Sequence, residues 1–267
     1  MMRSEIFRQY DSRWGSLAYP TKASSFADNG CGCCACTHLV IEKDKYRNYT
    51  PKDLRKYMVG EGFAVSGNGT TWSGITKTLE HYGFDVVKPN ISTSMDEAWK
   101  ELNKGNRAGV LLFSAGSRGG VTWTSGGHYV AFTAYKVVKG KHWFYTKDSG
   151  ARHNDGWHCY EDHMMYLLPQ MWIVKLPDPP SYKVGKEYKL QYSMNVRTGA
   201  GDGYRKKKRS ELTANGKKNA KSGTYAVLKA GTVVTCQKVV TLKSGEVWIK
   251  IPSGYVCAKD KKKVYIK

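Results

Sequence analysis

Covalent chemistry needs a nucleophile and a base, and this chain places a cysteine and a histidine in positions that suit those two roles. Cys31 lies between Gly30 and Gly32 at the start of a predicted helix, where unsatisfied N–H groups and the helix dipole favour a thiolate. His128 follows two glycines and opens an apolar run, residues 129–132, that is typical of a buried strand. An imidazole beside Cys31 could take the thiol proton and later protonate a leaving group. Alone, the Gly-Cys-Gly run favours a buried structural cysteine; the pairing with His128 favours a nucleophile.

Two further residues could complete this chemistry. Asp148 follows the next predicted strand, and in an antiparallel hairpin the end of that strand returns to the start of the one before it. A carboxylate there could orient the imidazole of His128, with a turn-capping aspartate as the alternative. Gln9 could donate its side-chain amide to an oxyanion, together with the nucleophile's own backbone N–H. The residue type alone leaves Gln9 equally compatible with no catalytic role.

The elements that must position these side chains follow from periodicity, caps and breakers. Thr50 and Pro51 predict the start of the second of four helices, and Gly60, Gly83 and Gly105 end the last three. Helices followed by antiparallel strands predict an α+β domain. The predicted helices cover residues 32–43, 54–59, 71–82 and 94–104, and the predicted strands cover residues 109–113, 128–138, 142–147 and 165–176.

A change in composition divides the chain. Residues 177–181, Pro-Asp-Pro-Pro-Ser, block both a helix and a central strand. We therefore predict one domain over residues 1–176, a Pro-rich linker over residues 177–186, and a second domain over residues 187–267. Glycine-punctuated runs in the second domain predict a small all-β barrel. Its predicted strands are residues 188–192, 226–228, 233–240, 247–251 and 255–258.

The positive charge of the chain is concentrated in its last third. The formal net charge is +21. Residues 181–267 hold 21 Lys and Arg against 5 Asp and Glu, a net +16, which leaves +5 for residues 1–180. This field predicts an anionic partner for the second domain, such as a cell-wall polymer, a nucleic acid or a membrane surface. No run approaches the roughly 18 apolar residues of a membrane span. The charged first residues lack the apolar core of a signal peptide.

The order of motifs in the first domain resembles that of papain-like cysteine peptidases related to bacteriocin double-glycine leader peptidases. The likeness spans residues 5–175. It implies a papain-like fold with Gln9 as oxyanion donor, Cys31 as nucleophile, His128 as base and Asp148 as orienter, and substrate contacts at Trp72, Trp123 and Tyr129. It is carried by Gln9-Tyr10-Asp11-Ser12-Arg13-Trp14-Gly15, Gly30-Cys31-Gly32, Thr71-Trp72-Ser73-Gly74-Ile75, Leu79-Glu80-His81-Tyr82-Gly83, Gly127-His128-Tyr129-Val130 and Lys147-Asp148-Ser149-Gly150.

Two features depart from that family. Positions 33, 34 and 36 are cysteines where the family has proline or small and apolar residues, which leaves open which thiol reacts. The family's Asp-Pro at the orienter is Asp148-Ser149 here.

The second domain is similar to bacterial SH3-like domains, over residues 188–260 with a basic insertion at about residues 204–222. Such domains often tether enzymes to peptidoglycan. The likeness implies a wall-binding role for Tyr192, Asn195, Arg197, Trp248 and Tyr255. It is carried by Met194-Asn195-Val196-Arg197-Thr198-Gly199, Leu228-Lys229-Ala230-Gly231-Thr232-Val233-Val234, Val247-Trp248-Ile249-Lys250-Ile251 and Gly254-Tyr255-Val256-Cys257.

Together the two resemblances predict a peptidoglycan hydrolase of the phage-endolysin type. We expect it to cleave a peptide or amide bond of the wall without a metal or other cofactor. Its expected partners are peptidoglycan and anionic wall polymers, with no membrane span and without nucleic acid. We expect synthesis in the bacterial host cytoplasm without a signal peptide, and action on the wall after release. The sequence does not set the oligomeric state or the bond that is cut.

Several alternatives stay open at this point. The chain could be a leader-peptide processing protease, or a non-catalytic binder of walls or nucleic acid through residues 205–209 and 261–263. Cys31, Cys33, Cys34 and Cys36 with His38 could instead hold zinc, with a second ligand group provided by His153, His158, Cys159 and His163.

Overall fold

The computed structural model describes residues 5–177, 181–242, 244–260 and 263–267. Between residues 177 and 181 the chain divides into two compact units, within the stretch where the sequence predicts a linker. Residues 178–180 of that predicted linker and residues 261–262 of the basic tail lie outside the described residues. Among the residues that are described, no helix has the length and apolar character to cross a membrane.

The first unit begins with helices, as predicted. Thr50 caps the helix that begins at Pro51 through a capping box with Asp53, and Thr71 caps the helix that begins at Trp72 by accepting from the backbone N–H of Gly74. The helices are α1 (Phe26–Asn29), α2 (Cys31–Val40), α3 (Pro51–Gly60), α4 (Trp72–His81), α5 (Asp96–Leu102) and α6 (Tyr160–His163), with a 3-10 turn at Asp44–Tyr46. The predicted helices at 32–43, 54–59, 71–82 and 94–104 correspond to α2, α3, α4 and α5.

An antiparallel sheet of six strands forms the centre of this unit, in the order β3-β10-β4-β7-β8-β9. Two hairpins, β1-β2 and β5-β6, stand apart from it. The predicted strand 165–176 is shorter than expected, because it begins only at Gln170. The strands are β1 (Ala64–Val65), β2 (Gly69–Thr70), β3 (Val86–Val87), β4 (Arg107–Phe113), β5 (Gly116–Arg118), β6 (Val121–Thr124), β7 (His128–Val138), β8 (Lys141–Lys147), β9 (Gly156–Cys159) and β10 (Gln170–Lys175).

The register of the sheet brings two of the predicted catalytic residues to the same edge. His128 is the first residue of β7 and pairs with Phe113, the last residue of β4. Lys147 ends β8 and pairs with Ala131, so the chain leaves β8 beside the first residues of β7. Asp148 comes next. Helix α2, which begins at Cys31, packs against β7.

The second unit has its own core of buried apolar side chains, drawn from residues 182–266. Tyr182 belongs to this core and donates to the carbonyl oxygens of Ala258 and Ile266, although it lies within the predicted linker. The strands form three small sheets: β11-β14, β12-β13 and β15-β16-β17. The elements are β11 (Glu187–Lys189), β12 (Met194–Asn195), α7 (Ala214–Asn219), β13 (Val227–Leu228), β14 (Val233–Thr235), β15 (Lys238–Thr241), β16 (Val247–Ile251) and β17 (Gly254–Lys259), with a 3-10 turn at Arg209–Glu211.

Two expectations for this unit need correction. The basic insertion at 204–222 contains helix α7, so the described residues are not all β; Thr213 caps α7 by accepting from the N–H of Gly216. The predicted strand 233–240 is divided into β14 and β15 by residues 236–237. That these small sheets form an SH3-like barrel stays a prediction.

Candidate active site

Cys31 is the first residue of α2, and the glycines on either side of it are required by close packing. A Cβ on Gly30 would lie 2.6 Å from the ring and the carbonyl oxygen of Phe26. A Cβ on Gly32 would lie 2.6 Å from Thr70 Oγ1. Neither position accepts a side chain without a shift of its neighbours. The Cys31 thiol is thereby fixed at the helix N-terminus, where backbone N–H groups favour the anion.

The imidazole of His128 lies close enough to the Cys31 thiol to interact with it. Burial alone would raise the pKa of Cys31, but the interaction with the imidazole and the charge of His128 outweigh it, and the backbone N–H groups of Tyr129 and Gly32 add to the effect. The net result is a thiol pKa below its ordinary value of 9.0. For His128, burial lowers the pKa, yet the interactions with Asp148 and Cys31 raise it to about 10. The two shifts together favour a thiolate–imidazolium pair.

Asp148 bonds the same imidazole. Nε2 of the His128 imidazolium donates to Asp148 Oδ1 over 2.7 Å. The carboxylate also accepts from the backbone N–H of Gly150 (2.8 Å) and of Asn154 (3.1 Å). Burial would raise the pKa of Asp148, but these bonds and the charge of His128 hold it below its usual range. Asp148 is therefore a buried anion that both caps its own turn at Gly150 and bonds His128.

Gln9 lies against both the catalytic helix and the Asp148 loop. Its Nε2 donates to the carbonyl oxygen of Ala27 over 2.5 Å. Ala27 belongs to α1, the helix that precedes Cys31. Its backbone N–H donates to the carbonyl oxygen of Ser149 (3.0 Å), and the Ser149 hydroxyl donates to Gln9 Oε1 (3.2 Å). Gln9 is thus bonded to the helix that precedes Cys31 and to the residue that follows Asp148, and all four predicted catalytic residues are buried.

The thiol pKa values of the other three cysteines of α2 are shifted in the opposite direction from that of Cys31. Cys33, Cys34 and Cys36 are fully buried, and burial raises the pKa of each thiol far above its ordinary value. Their neighbour His38 is also buried, and burial, with the charges of Lys147 and Arg8, holds its pKa well below the usual range. Thiols that keep their protons are poor nucleophiles, and among the four cysteines of α2 only Cys31 has a lowered pKa.

Three residues of this site were not identified from the sequence. A Cβ on Gly150 would lie 3.0 Å from His128 Nε2 and 3.1 Å from Asp148 Oδ1. Asp155 accepts from the backbone N–H of Asp148 (2.9 Å) and from Arg8 Nη2 (2.5 Å), while Arg8 Nη1 donates to the Asp148 carbonyl oxygen. The Gly after Asp148-Ser149 was visible in the motif; the pairing of Arg8 with Asp155 has no local pattern.

The three residues predicted to contact the substrate differ in their exposure. Trp72 is 46 % exposed at the start of α4, with its ring edge-on to buried Trp172. Tyr129 is buried, and its hydroxyl donates to the carbonyl oxygen of Thr70 (2.9 Å). Its backbone N–H helps to lower the pKa of Cys31. Trp123 is 2 % exposed and stacks on Phe113 at 4.0 Å within the core, so it offers no surface to a substrate.

The predicted wall contacts of the second unit also differ: some side chains are exposed, and others are bonded or packed within the unit. Tyr192 and Asn195 are exposed, with Lys263 Nζ 3.2 Å from the centre of the Tyr192 ring, and Tyr255 is half-buried. Arg197 is engaged in holding residues 202–204, since it donates to both the side chain and the carbonyl oxygen of Asp202. Trp248 is 2 % exposed and donates to Glu246, so the structure assigns it to packing rather than to a ligand surface.

The proposed zinc ligands do not converge on one point. Within residues 5–177, 181–242, 244–260 and 263–267, no group of three or more His, Cys, Asp or Glu side chains is arranged to hold a metal ion. Cys159 Sγ contacts Glu161 instead, and its backbone N–H donates to His163 Nδ1.

Comparison with known proteins gives only distant likeness. No protein-family model and no curated protein matches the chain. It is similar to a crystal structure of Ly7917 with the hydrolyzing product of MDP, at 13 % identity and a TM-score of 0.26, over 89 % of this chain and 88 % of that one. A second crystal structure of Ly7917 gives 16 % identity and a TM-score of 0.19, over 60 % of this chain and 61 % of that one. TM-scores of this size carry no argument about fold or activity.

Proposed function

We propose that this protein is a cysteine hydrolase of bacterial peptidoglycan, with a papain-like first domain and an SH3-like wall-binding second domain. One observation carries the enzymatic part: Cys31, His128 and Asp148 are buried together, His128 hydrogen-bonds Asp148, and the interaction of His128 with Cys31 lowers the thiol pKa and raises the imidazole pKa. Structural cysteines do not need such a partner. Buried, strongly perturbed titratable groups in mutual contact are typical of catalytic sites.

The reaction follows from the position of each group. The Cys31 thiolate attacks a carbonyl carbon of a peptide or amide bond, and the tetrahedral oxyanion accepts from Gln9 Nε2–H and the Cys31 backbone N–H. The His128 imidazolium protonates the leaving amine as the C–N bond breaks, which leaves an acyl thioester on Cys31. Water, deprotonated by the now neutral His128, attacks this thioester; a carboxylic acid departs and the proton returns to the Cys31–His128 pair. Asp148 keeps the ring oriented throughout.

The choice of substrate is supported by the second unit and the two family resemblances. Residues 181–267 carry a net charge of +16, and the lysines of α7 are exposed. Gram-positive walls contain anionic polymers that such a field attracts. Exposed Tyr192 and Asn195, and Trp72 at the surface of the first unit, are the residues proposed to touch the wall. Action on the wall after release from the cell is part of the same proposal.

Loss of turbidity in a suspension of Gram-positive cell walls tests this function. Wild type is expected to clear the suspension, and Cys31→Ala to lose the activity by at least about 10³-fold, because no other nucleophile replaces the thiolate. Cys36→Ala is the matched control, since it removes a thiol from the same helix whose proton is retained. Equal clearing by wild type and Cys31→Ala would contradict the proposal. Mass spectrometry of the released fragments identifies the bond from its new termini.

A further inference from the structure

The carboxamide of Gln9 is held at both ends. Its nitrogen donates to the carbonyl oxygen of Ala27, and its oxygen accepts from the hydroxyl of Ser149. A carbonyl oxygen only accepts hydrogen bonds, so Ala27 determines which end of the amide is the nitrogen. The Ser149 hydroxyl then satisfies the oxygen end. Gln9 and Ser149 are 4 % and 2 % exposed, so water does not readily replace either partner.

We propose that Ser149 is a positioning residue for the oxyanion donor, because its hydroxyl keeps the Gln9 carboxamide in the orientation that presents an N–H to the oxyanion. This inference rests on the proposed function, since an oxyanion forms only if the Cys31 thiolate attacks a carbonyl carbon. Nε2 carries two hydrogens, of which one is bonded to Ala27; the other bonds none of the described residues. That second N–H is the one available to the reaction.

Without the Ser149 hydroxyl, Gln9 Oε1 would be a buried acceptor that lacks a donor. Such a group is costly to leave unpaired, so the side chain would turn toward another donor and carry Nε2 away from its position. The backbone of Gln9 would stay in place, because its N–H donates to the Ser149 carbonyl oxygen, which an alanine also provides. Replacement of Ser149 by alanine is therefore expected to change the orientation of the Gln9 carboxamide while the Gln9 backbone stays in place.

The test uses the full chain and p-nitrophenyl acetate, a small activated ester whose hydrolysis through Cys31 requires an oxyanion donor. Background hydrolysis is taken from Cys31→Ala. Gln9→Ala is expected to lower kcat by about 10²-fold, as loss of an oxyanion-hole donor does. Ser149→Ala is expected to lower kcat by about tenfold with little change in KM, since the donor is still present but misplaced. Cys36→Ala, which removes a buried thiol of the same helix, should cause no loss.

A double-mutant cycle provides the decisive comparison. If Ser149 acts through Gln9, then Ser149→Ala has no further effect in the Gln9→Ala background. Losses that multiply would overturn the inference, because Ser149 would then act independently of Gln9. Alkylation of Cys31 by iodoacetamide needs no oxyanion donor, so Ser149→Ala should leave its rate and pH profile unchanged. A slowed or shifted alkylation would also overturn the inference, because it would place the effect on the Cys31–His128 pair.

Failure of this inference and failure of the proposed function give different results. Ester hydrolysis with coupling between Gln9 and Ser149, but no clearing of cell walls, would support the role of Ser149 and reject peptidoglycan as substrate. Wall clearing with losses that multiply would keep the proposed function and reject the role of Ser149. Absence of any Cys31-dependent ester hydrolysis in wild type would overturn both.

Discussion

In the first unit the charges around Cys31 are buried and bonded to one another, whereas in the second unit most cationic side chains lie at the surface. His128 and Asp148 are 7 % and 0 % exposed and share a hydrogen bond of 2.7 Å. In the second unit, by contrast, Lys206, Lys217 and Lys218 are exposed, within a unit of net charge +16.

Buried charges in the first unit and exposed charges in the second suit different purposes. A buried charge is strongly coupled to its neighbours, so it fixes positions and shifts pKa values at short range. An exposed cationic surface acts over a distance of about a Debye length, roughly 10 Å at 0.1 M salt, and its attraction is weakened by added ions. The first arrangement suits catalysis, and the second suits retention on an anionic polymer.

The largest effect is expected from neutralising the buried carboxylate. Asp148→Asn removes the negative charge that raises the pKa of His128. Its NH2 group also replaces one of the two carboxylate oxygens, each of which accepts from a backbone N–H. We expect kcat to fall on the order of 10³-fold, as for other hydrolase orienters. Iodoacetamide alkylation of Cys31 should shift to higher pH, because a less basic His128 supports the thiolate less. Asp162→Asn, in an exposed pair with Lys141, is the control and should have no effect.

A smaller loss is expected from filling the space beside the same pair. A methyl group on Gly150 would come within 3.0 Å of His128 Nε2 and 3.1 Å of Asp148 Oδ1, so the imidazole must move. We expect Gly150→Ala to lower kcat by at least about tenfold, since small displacements of reacting groups are costly. Gly126→Ala provides the control, because its Cβ would meet no atom within 4 Å. Unchanged kcat in Gly150→Ala would show that the site accommodates the methyl.

A weaker effect is expected from the second unit, and it should appear in binding rather than in chemistry. Lys206→Glu with Lys218→Glu, made in the Cys31→Ala chain so that walls stay intact, should reduce co-sedimentation with Gram-positive walls roughly fivefold at low salt. The matched control is Lys52→Glu with Lys100→Glu, an equal charge change at exposed positions of the first unit. Equal losses in both pairs would mean that total charge, rather than the second unit, governs binding.

The smallest changes are expected from pH and salt on the Cys31–His128 pair. The thiol pKa is below 9.0, so alkylation of Cys31 should persist as the pH falls below that value. The His128 pKa is about 10, so ester hydrolysis should decline as the pH rises through 10 and the imidazolium loses its proton. Added salt should leave the pH dependence of alkylation and of ester hydrolysis nearly unchanged, because the Cys31–His128 pair is buried. The same salt should weaken wall binding. An alkaline limb near pH 6.5 would contradict the raised pKa of His128.

Local patterns predicted much of the first unit. Caps at Thr50 and Thr71 and the apolar run after His128 have short-range physical causes, so the helices and central strands appear where the sequence places them. Cys31, His128, Asp148 and Gln9 were identified from residue type and motif order. The buried state of Trp123 and Trp248 was not, because an aromatic residue has the same type whether it packs in a core or faces solvent.

The sequence alone determined the candidate nucleophile, its base, the order of helices before strands, and the charge difference between the two parts of the chain, because all of these follow from residue type and spacing. Tertiary structure decided which of four neighbouring cysteines has a lowered pKa, since that depends on whether its sulfur interacts with His128 and on its burial. It also decided that Gly150 leaves room for the imidazole and that Ser149 bonds Gln9, contacts between residues up to 140 positions apart.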